Sequence, residues 1–307
     1  MSWLLVAILA YLFLAIVSLF DRYFLVGAIP NPMVYTFYIG AIGLPICLLL
    51  LLFGITLPVK GIIILGLITG FIKILGNIFL MESIVRSEVS RAVPAIGGLM
   101  PIFSFLLFFL YFPKNEILNL YQFLAFILLV SGSVLISLKK VPGRFFSLRN
   151  LKYPIIASII FAVSFFLMKI LFLRVNFLTG FFLVLLGGGL GTLGFFVLPS
   201  FRKNLFIQRI DKKISGIFLL AQAIGGLGAV FQQYAFFLAR PSQVPLINAL
   251  EGIIYVFLFI FVLILSFWKP ELLKEEMRGT TLFQKIFAIL LIGIGLAILA
   301  KFRIITF

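Results

Sequence analysis

Residues 2–20 read SWLLVAILAYLFLAIVSLF, a run without a single charge. A helix of about 20 apolar residues crosses a hydrocarbon core of ~30 Å, and runs of the same kind recur along the chain. A transmembrane barrel would need segments of about 10 residues alternating polar and apolar. These runs are continuously apolar, so the helix, which satisfies its backbone internally, is the structure that lipid allows. The expected fold class is all-α, a polytopic membrane protein. No basic stretch precedes the first run and no small-x-small cleavage site follows it, so it reads as a retained span that Asp21-Arg22-Tyr23 terminates.

Composition points the same way. The chain has 307 residues, 64% hydrophobic and 11% charged, against roughly half and a quarter in soluble domains. The net charge of +16 would suit nucleic acid. The basic residues, however, sit in short connections between apolar runs, where anionic lipid headgroups are the nearer partner. No nucleic-acid partner is therefore expected. Histidine is absent and Cys47 is the single cysteine, which excludes haem, zinc, iron–sulfur clusters and an internal disulfide, and no cofactor is expected. Cys47 lies within an apolar run as a packing residue.

Between charged or Pro/Gly connections the runs give ten expected spans, near 2–20, 33–53, 61–81, 92–112, 119–138, 154–174, 178–198, 214–238, 243–267 and 282–300. The longest polar connections, Lys139 to Lys152, Pro199 to Lys213 and Lys269 to Thr281, are too short for a soluble domain, so function is expected within the bundle. Segments 202–213 and 270–278 read as short surface helices or solvated loops. Laying 73–103 on 224–254 matches Pro94 with Pro245, Val93 with Val244 and Glu82 with Gln233. DRYFLV at 21–26 parallels MKILFL at 168–173, setting Arg22 opposite Lys169, and Ala125 and Gly132 match Ala288 and Gly295. These matches keep their order, so the chain divides into repeats at 1–138 and 153–307 joined by a basic connection at 139–152. With five spans each, the halves cross the membrane in opposite directions, the inverted repeat of secondary transporters.

Lysine and arginine crowd the connections after odd-numbered spans, with Lys139, Lys140, Arg144, Arg149 and Lys152 in one and Arg202, Lys203, Arg209, Lys212 and Lys213 in the next. The other side holds Lys60, Lys114, Arg174, Arg240, Lys301 and Arg303. The positive-inside rule makes the crowded side cytoplasmic and leaves both termini outside.

The connections ESIVRSEVSRAVPAIGGLMPIF at 82–103 and QYAFFLARPSQVPLINALEGII at 233–254, followed by KNEILNLYQFLAFILLVSGSVLIS at 114–137 and FQKIFAILLIGIGLAIL at 283–299, resemble the drug/metabolite transporter superfamily, specifically EamA-type proteins. The resemblance covers nearly the whole chain. It implies ten helices as two inverted five-helix repeats, and a metabolite transporter in a bacterial or archaeal cell membrane, as a monomer or homodimer. Lys169 and Arg22 fall where the family often carries a basic residue late in the first helix of each half. In one respect the chain departs from the pattern: many family members keep both termini in the cytoplasm.

Candidate site residues follow from depth and spacing. Gly66, Gly70, Lys73 and Asn77 form one stripe of span three, with Lys73 near mid-membrane, where an ionisable group must face protein or water. In span eight Gln222, Gly226, Ala229 and Gln233 repeat that spacing; close helix packing around one buried polar pair is the plainer reading of both stripes. Span nine carries Asn248, Glu251 and Tyr255, and Glu251 is the one carboxylate placed deep in a span. Unpaired, it suits a coupling proton or cation; paired with a lysine, it is structural. Lys169 and Arg22 lie close enough to span ends to snorkel to headgroups or to meet substrate. Glu82, Arg86, Glu88 and Arg91 read as a solvated connection. The glycines of span seven, Gly187, Gly188, Gly189, Gly191 and Gly194, suit close packing or a bending point. Pro94, Pro101 and Pro245 are expected to break spans four and nine.

Together these features point to a transporter that moves a small metabolite across a midplane cavity by alternating access. The excess of deep cations over deep acids favours a carboxylate or phosphate on that substrate, held by Lys73 with Asn77, Gln222 and Asn248 as neighbours. The alternative is a flippase for a lipid-linked carrier, suggested by abundant phenylalanine and basic loops. Without histidine, a cysteine cluster or paired deep carboxylates the chain lacks recognisable catalytic parts, and no enzymatic activity is expected.

Overall fold

The computed structural model describes residues 2–86, 89–112, 118–137, 148–207, 211–268 and 280–304. Helices account for nearly all of them, and no strand occurs among the described residues. In chain order the helices are α1 (Trp3–Val26), α2 (Pro32–Leu51), α3 (Lys60–Arg86), α4 (Val89–Tyr111), α5 (Leu120–Ser137) and α6 (Leu148–Phe172). There follow α7 (Phe177–Leu193), α8 (Pro199–Ile207), α9 (Lys212–Leu238), α10 (Val244–Ala249), α11 (Ile253–Trp268) and α12 (Thr280–Ile304).

Eight stretches are long and apolar enough to cross a membrane, which fits an integral membrane protein: α1, α2, α3, residues 152–172 of α6, 177–197 through α7, α9, 241–261 through α10 into α11, and 283–301 of α12. Two further apolar helices, Ala95–Tyr111 and Leu120–Ile136, are shorter. Large apolar side chains such as Leu48, Leu106, Leu190, Leu220 and Leu290 point outward from the bundle, as they must where lipid is the solvent.

Local chemistry sets several helix ends. The Asn31 side chain accepts from the backbone amides of Met33 and Val34 at 3.0 and 3.1 Å, with Pro32 in the first turn of α2. Asn176 accepts from the Thr179 amide at 2.9 Å to open α7. Both satisfy amides that a helix start leaves without partners. α1 does not stop at Phe20: it runs on to Val26, which brings Asp21, Arg22 and Tyr23 inside the helix. α6 begins at Leu148, within the stretch read as basic connection. α8 is a short helix with Phe201 buried and Arg202 and Lys203 exposed, the amphipathic form expected of this segment; residues 270–278 lie outside the described residues.

The proline expectation is corrected at all three positions. α4 runs unbroken through Pro94 and Pro101, and Pro245 sits in the first turn of α10, where its missing N–H costs nothing. The interruption in this part of the chain is instead a 3-10 turn at Leu250–Gly252 between α10 and α11.

α1 packs along α9 and α6 along α3; α2 packs on α7, and α5 on α12. Glycine makes the α3–α7 contact close. A Cβ on Gly70 would collide with the Val184 carbonyl and the Gly188 amide, and one on Gly187 with the Leu67 backbone. α7 remains a regular helix through this glycine run and tightens to a 3-10 turn only at Gly194, so the glycines serve close approach.

Two ends of the bundle can be distinguished. At one, which we call the basic end, α1, α3, α5 and α7 finish while α2, α6, α9 and α12 begin. Gln284 at the start of α12 donates to the Leu135 carbonyl of α5 at 2.6 Å, and the Arg86 guanidinium stacks over the Tyr153 ring at 4.8 Å. Exposed Lys152, Arg202, Lys203, Lys212 and Lys213 surround this end. At the opposite end the Thr179 hydroxyl donates to the Thr56 carbonyl at 3.4 Å.

Candidate functional site

The 3-10 turn at 250–252 sets Glu251 in the middle of an apolar stretch. Asn248 of α10, Glu251 of the turn and Tyr255 of α11 face α4 together. Asn248 is fully buried and donates from Nδ2 to the Ser104 hydroxyl of α4 at 2.9 Å, while its Oδ1 has no partner. The Tyr255 hydroxyl is also buried without a partner. Glu251 has no ion pair and no hydrogen bond among the described residues. Across from them α4 carries Gly97, where an added Cβ would lie 3.5 Å from the Tyr255 hydroxyl and 3.6 Å from Glu251 Cγ. Glycine here lets the Glu251 and Tyr255 side chains face α4 at short range.

Tyr11 of α1 closes this region from the other side. Its hydroxyl donates to the Ile247 carbonyl at 2.6 Å, and Gln232 of α9 hydrogen-bonds it. Glu251 is near enough to act electrostatically on both Tyr11 and Tyr255. The polar cluster therefore joins α1, α4, α9 and the α10–α11 segment with its 3-10 turn.

Lys73 stands one turn beyond the Gly70 contact on α3, half-buried, with Asn77 half-buried one turn further. Lys73 forms no ion pair or hydrogen bond among the described residues, with Glu251 or with Asn77. A lysine and a glutamate are thus both present within apolar helices without pairing with each other.

The other candidates are placed differently. Lys169 is buried and does not reach headgroups: its Nζ donates to the carbonyls of Phe236, Phe237 and Ala239 at 3.1, 3.4 and 2.5 Å, at the C-terminal end of α9. Arg22 is exposed on α1. Gln233 is buried with Oε1 unpartnered. Glu82 pairs with exposed Arg86 at 2.6 Å, one turn apart on α3; Glu88 lies outside the described residues.

Gln222 is drawn into a cluster at the basic end. Its Nε2 donates to the Tyr35 hydroxyl at 3.1 Å, and that hydroxyl donates to Asp21 Oδ1. The rings of Phe24, Tyr35, Tyr38 and Phe218 pack edge-on around it. Gln222 and Gln233 are eleven residues apart on α9, about 16 Å along the helix, so the span-eight stripe serves two sites. Asp21, Tyr35, Tyr11 and Gln232 were not among the residues expected from sequence. The usable signal for Asp21 was its place only one residue beyond an apolar run that a longer helix could absorb.

No family model matches the chain, and no curated protein matches it. Among solved structures, one crystal structure aligns at 16% identity over 99% of this chain and 98% of its own, with a TM-score of 0.66. That likeness shows a shared fold.

Proposed function

We propose that the protein is a secondary transporter of the EamA type, with ten spans arranged as two inverted five-helix repeats, moving a small metabolite that carries a carboxylate or phosphate. The observation that carries this reading is that two ionisable side chains within apolar helices, Lys73 on α3 and Glu251 at the turn between α10 and α11, make no ion pair with each other. Holding an ammonium inside a membrane bundle without a counter-ion is costly. An anionic substrate group offsets that cost on arrival, whereas Glu251 suits a proton or monovalent cation that drives the cycle.

Helix pairing supports two related halves. If α9 is span eight and α10 with α11 span nine, the α1–α9 contact is span one on span eight, and α6–α3 is its counterpart, span six on span three. The α2–α7 and α5–α12 contacts pair equivalent spans of the two halves. Inverted repeats of this kind alternate access by rocking about a midplane site. The basic end faces the cytoplasm in this reading, with both termini outside.

The reading is tested by untargeted metabolomics of cells with and without the protein, followed by counterflow in proteoliposomes with the metabolites whose pools change. Saturable exchange of an anionic metabolite is expected. Pools that do not respond, with no exchange of any carboxylate or phosphate in vesicles, would refute it.

A further inference from the structure

Asp21 sits a turn and a half from the end of α1 and receives donors from two other helices. The Tyr35 hydroxyl of α2 donates to Oδ1, Gln222 of α9 hydrogen-bonds both that hydroxyl and Asp21, and buried Phe24 and Phe218 pack against the Tyr35 ring. α2 otherwise rests on α7, α3 and α8, and it meets α9 here, through Tyr35, Tyr38, Phe218 and Gln222. One carboxylate therefore joins three helices at the basic end.

Hydrogen bonding alone does not account for an acid at this position. An asparagine side chain would accept from the same donors without taking a charge out of water. Nor does a counter-ion account for it: Asp21 has no ion pair among the described residues. The titratable group packed against it is Tyr35 of α2, with Tyr38 of the same helix on the far side of Phe218. The charged groups on neighbouring ends are Arg22 of α1, Arg86 of α3, Arg202 and Lys203 of α8, and Asp211, Lys212 and Lys213 at the start of α9, all exposed, and half-buried Glu82, which is held by Arg86. A carboxylate with this setting differs from an amide in one respect: it can take up and release a proton.

We propose that Asp21 is a proton-binding site whose charge state sets a latch, the ionised carboxylate holding α1, α2 and α9 together at the basic end and the protonated one letting α2 move away from α9. Hydrogen bonds to an ionised acceptor are roughly twice as strong as neutral ones, so release of the proton to water tightens the contacts to Tyr35 and Gln222 together, and its uptake loosens both. The proposal extends the transport reading, since a latch between these helices would gate one side of the bundle. Its test needs no substrate, so it can fail while that reading stands.

Spin labels on Met33→Cys at the start of α2 and Lys213→Cys at the start of α9, in a Cys47→Ser background, report the gap by pulsed electron resonance in the full-length protein in nanodiscs. Between about pH 8 and about pH 3, a range that spans the ordinary aspartate pKa of about 3.9, the distance is expected to lengthen by several ångströms. Asp21→Asn, which keeps the shape and removes the charge, is expected to show the long distance at both values. Tyr35→Phe keeps the carboxylate and removes the donor, so it gives the long distance at both values as well and serves if the asparagine variant does not fold. A distance in the parent protein that ignores pH, or a short distance retained by either variant at about pH 8, overturns the latch.

Discussion

The Lys169 ammonium on α6 donates to the Ala239 carbonyl at 2.5 Å and to two more carbonyls in the last turn of α9. A cation at a helix C-terminus meets both the free carbonyls and the negative end of the dipole. A residue with the sequence pattern of a substrate contact or a snorkelling lysine is therefore a tie between α6 and the end of α9.

Lys169→Met is accordingly expected to cost stability more than substrate affinity. Buried carbonyls left without donors cost about 1–3 kcal/mol each at most, which should appear as a clear drop in thermal midpoint in detergent. If KM for the transported metabolite rises steeply while the midpoint holds, Lys169 touches substrate.

The contact of Gly70 with Val184 and Gly188 predicts a second stability effect. Gly70→Ala places a methyl group against backbone, which cannot swing aside, and overpacking of this kind costs about 1–3 kcal/mol. Gly226→Ala, where nothing lies within reach of the added Cβ, should be nearly neutral. Equal midpoints for the two variants would contradict the close α3–α7 packing.

Much of the fold was legible because lipid demands long apolar helices, and the runs that satisfy it are plain in the residues. The errors lie where a charge did not end a helix: Asp21 stays inside α1 because Tyr35 and Gln222 donate to it, partners that only the folded bundle brings near. The 3-10 turn at Leu250–Gly252 was equally hidden, since the nearby proline that drew attention sits harmlessly in a first turn. At the candidate site, spacing on one helix found Asn248, Glu251 and Tyr255, but Tyr11 and Gln232 come from other helices and have no local pattern.

Orientation is checked by labelling single cysteines in a Cys47→Ser background. Ser200, exposed on α8 at the basic end, and Thr56, exposed at the other, should differ. In intact cells an impermeant maleimide should modify Thr56→Cys and spare Ser200→Cys until the membrane is opened. The reverse pattern would invert the topology.

Glu251→Gln removes the titratable proton with little change of shape at the turn between α10 and α11. The variant should fold and still exchange substrate in counterflow, yet lose accumulation against a gradient. Gradient-driven uptake equal to the parent protein would make Glu251 a structural residue.

Lys73 gives the strictest test of substrate chemistry. It lies half-buried beyond the Gly70 contact, and among the described residues no carboxylate or carbonyl holds its ammonium. Its position near mid-helix leaves little reach to headgroups. A carboxylate or phosphate on the substrate is then the group that completes it, with Asn77 one turn away on the same face of α3. Lys73→Met keeps most of the volume and removes the charge. A hydrogen bond to a charged group contributes about 1.5–3 kcal/mol, so KM for an anionic substrate should rise about tenfold to a hundredfold with the folded yield unchanged. The measurement is counterflow in proteoliposomes with the metabolite identified by pool changes. Unchanged affinity for an anion, or a transported species that proves to be a cation, would remove Lys73 from the binding site.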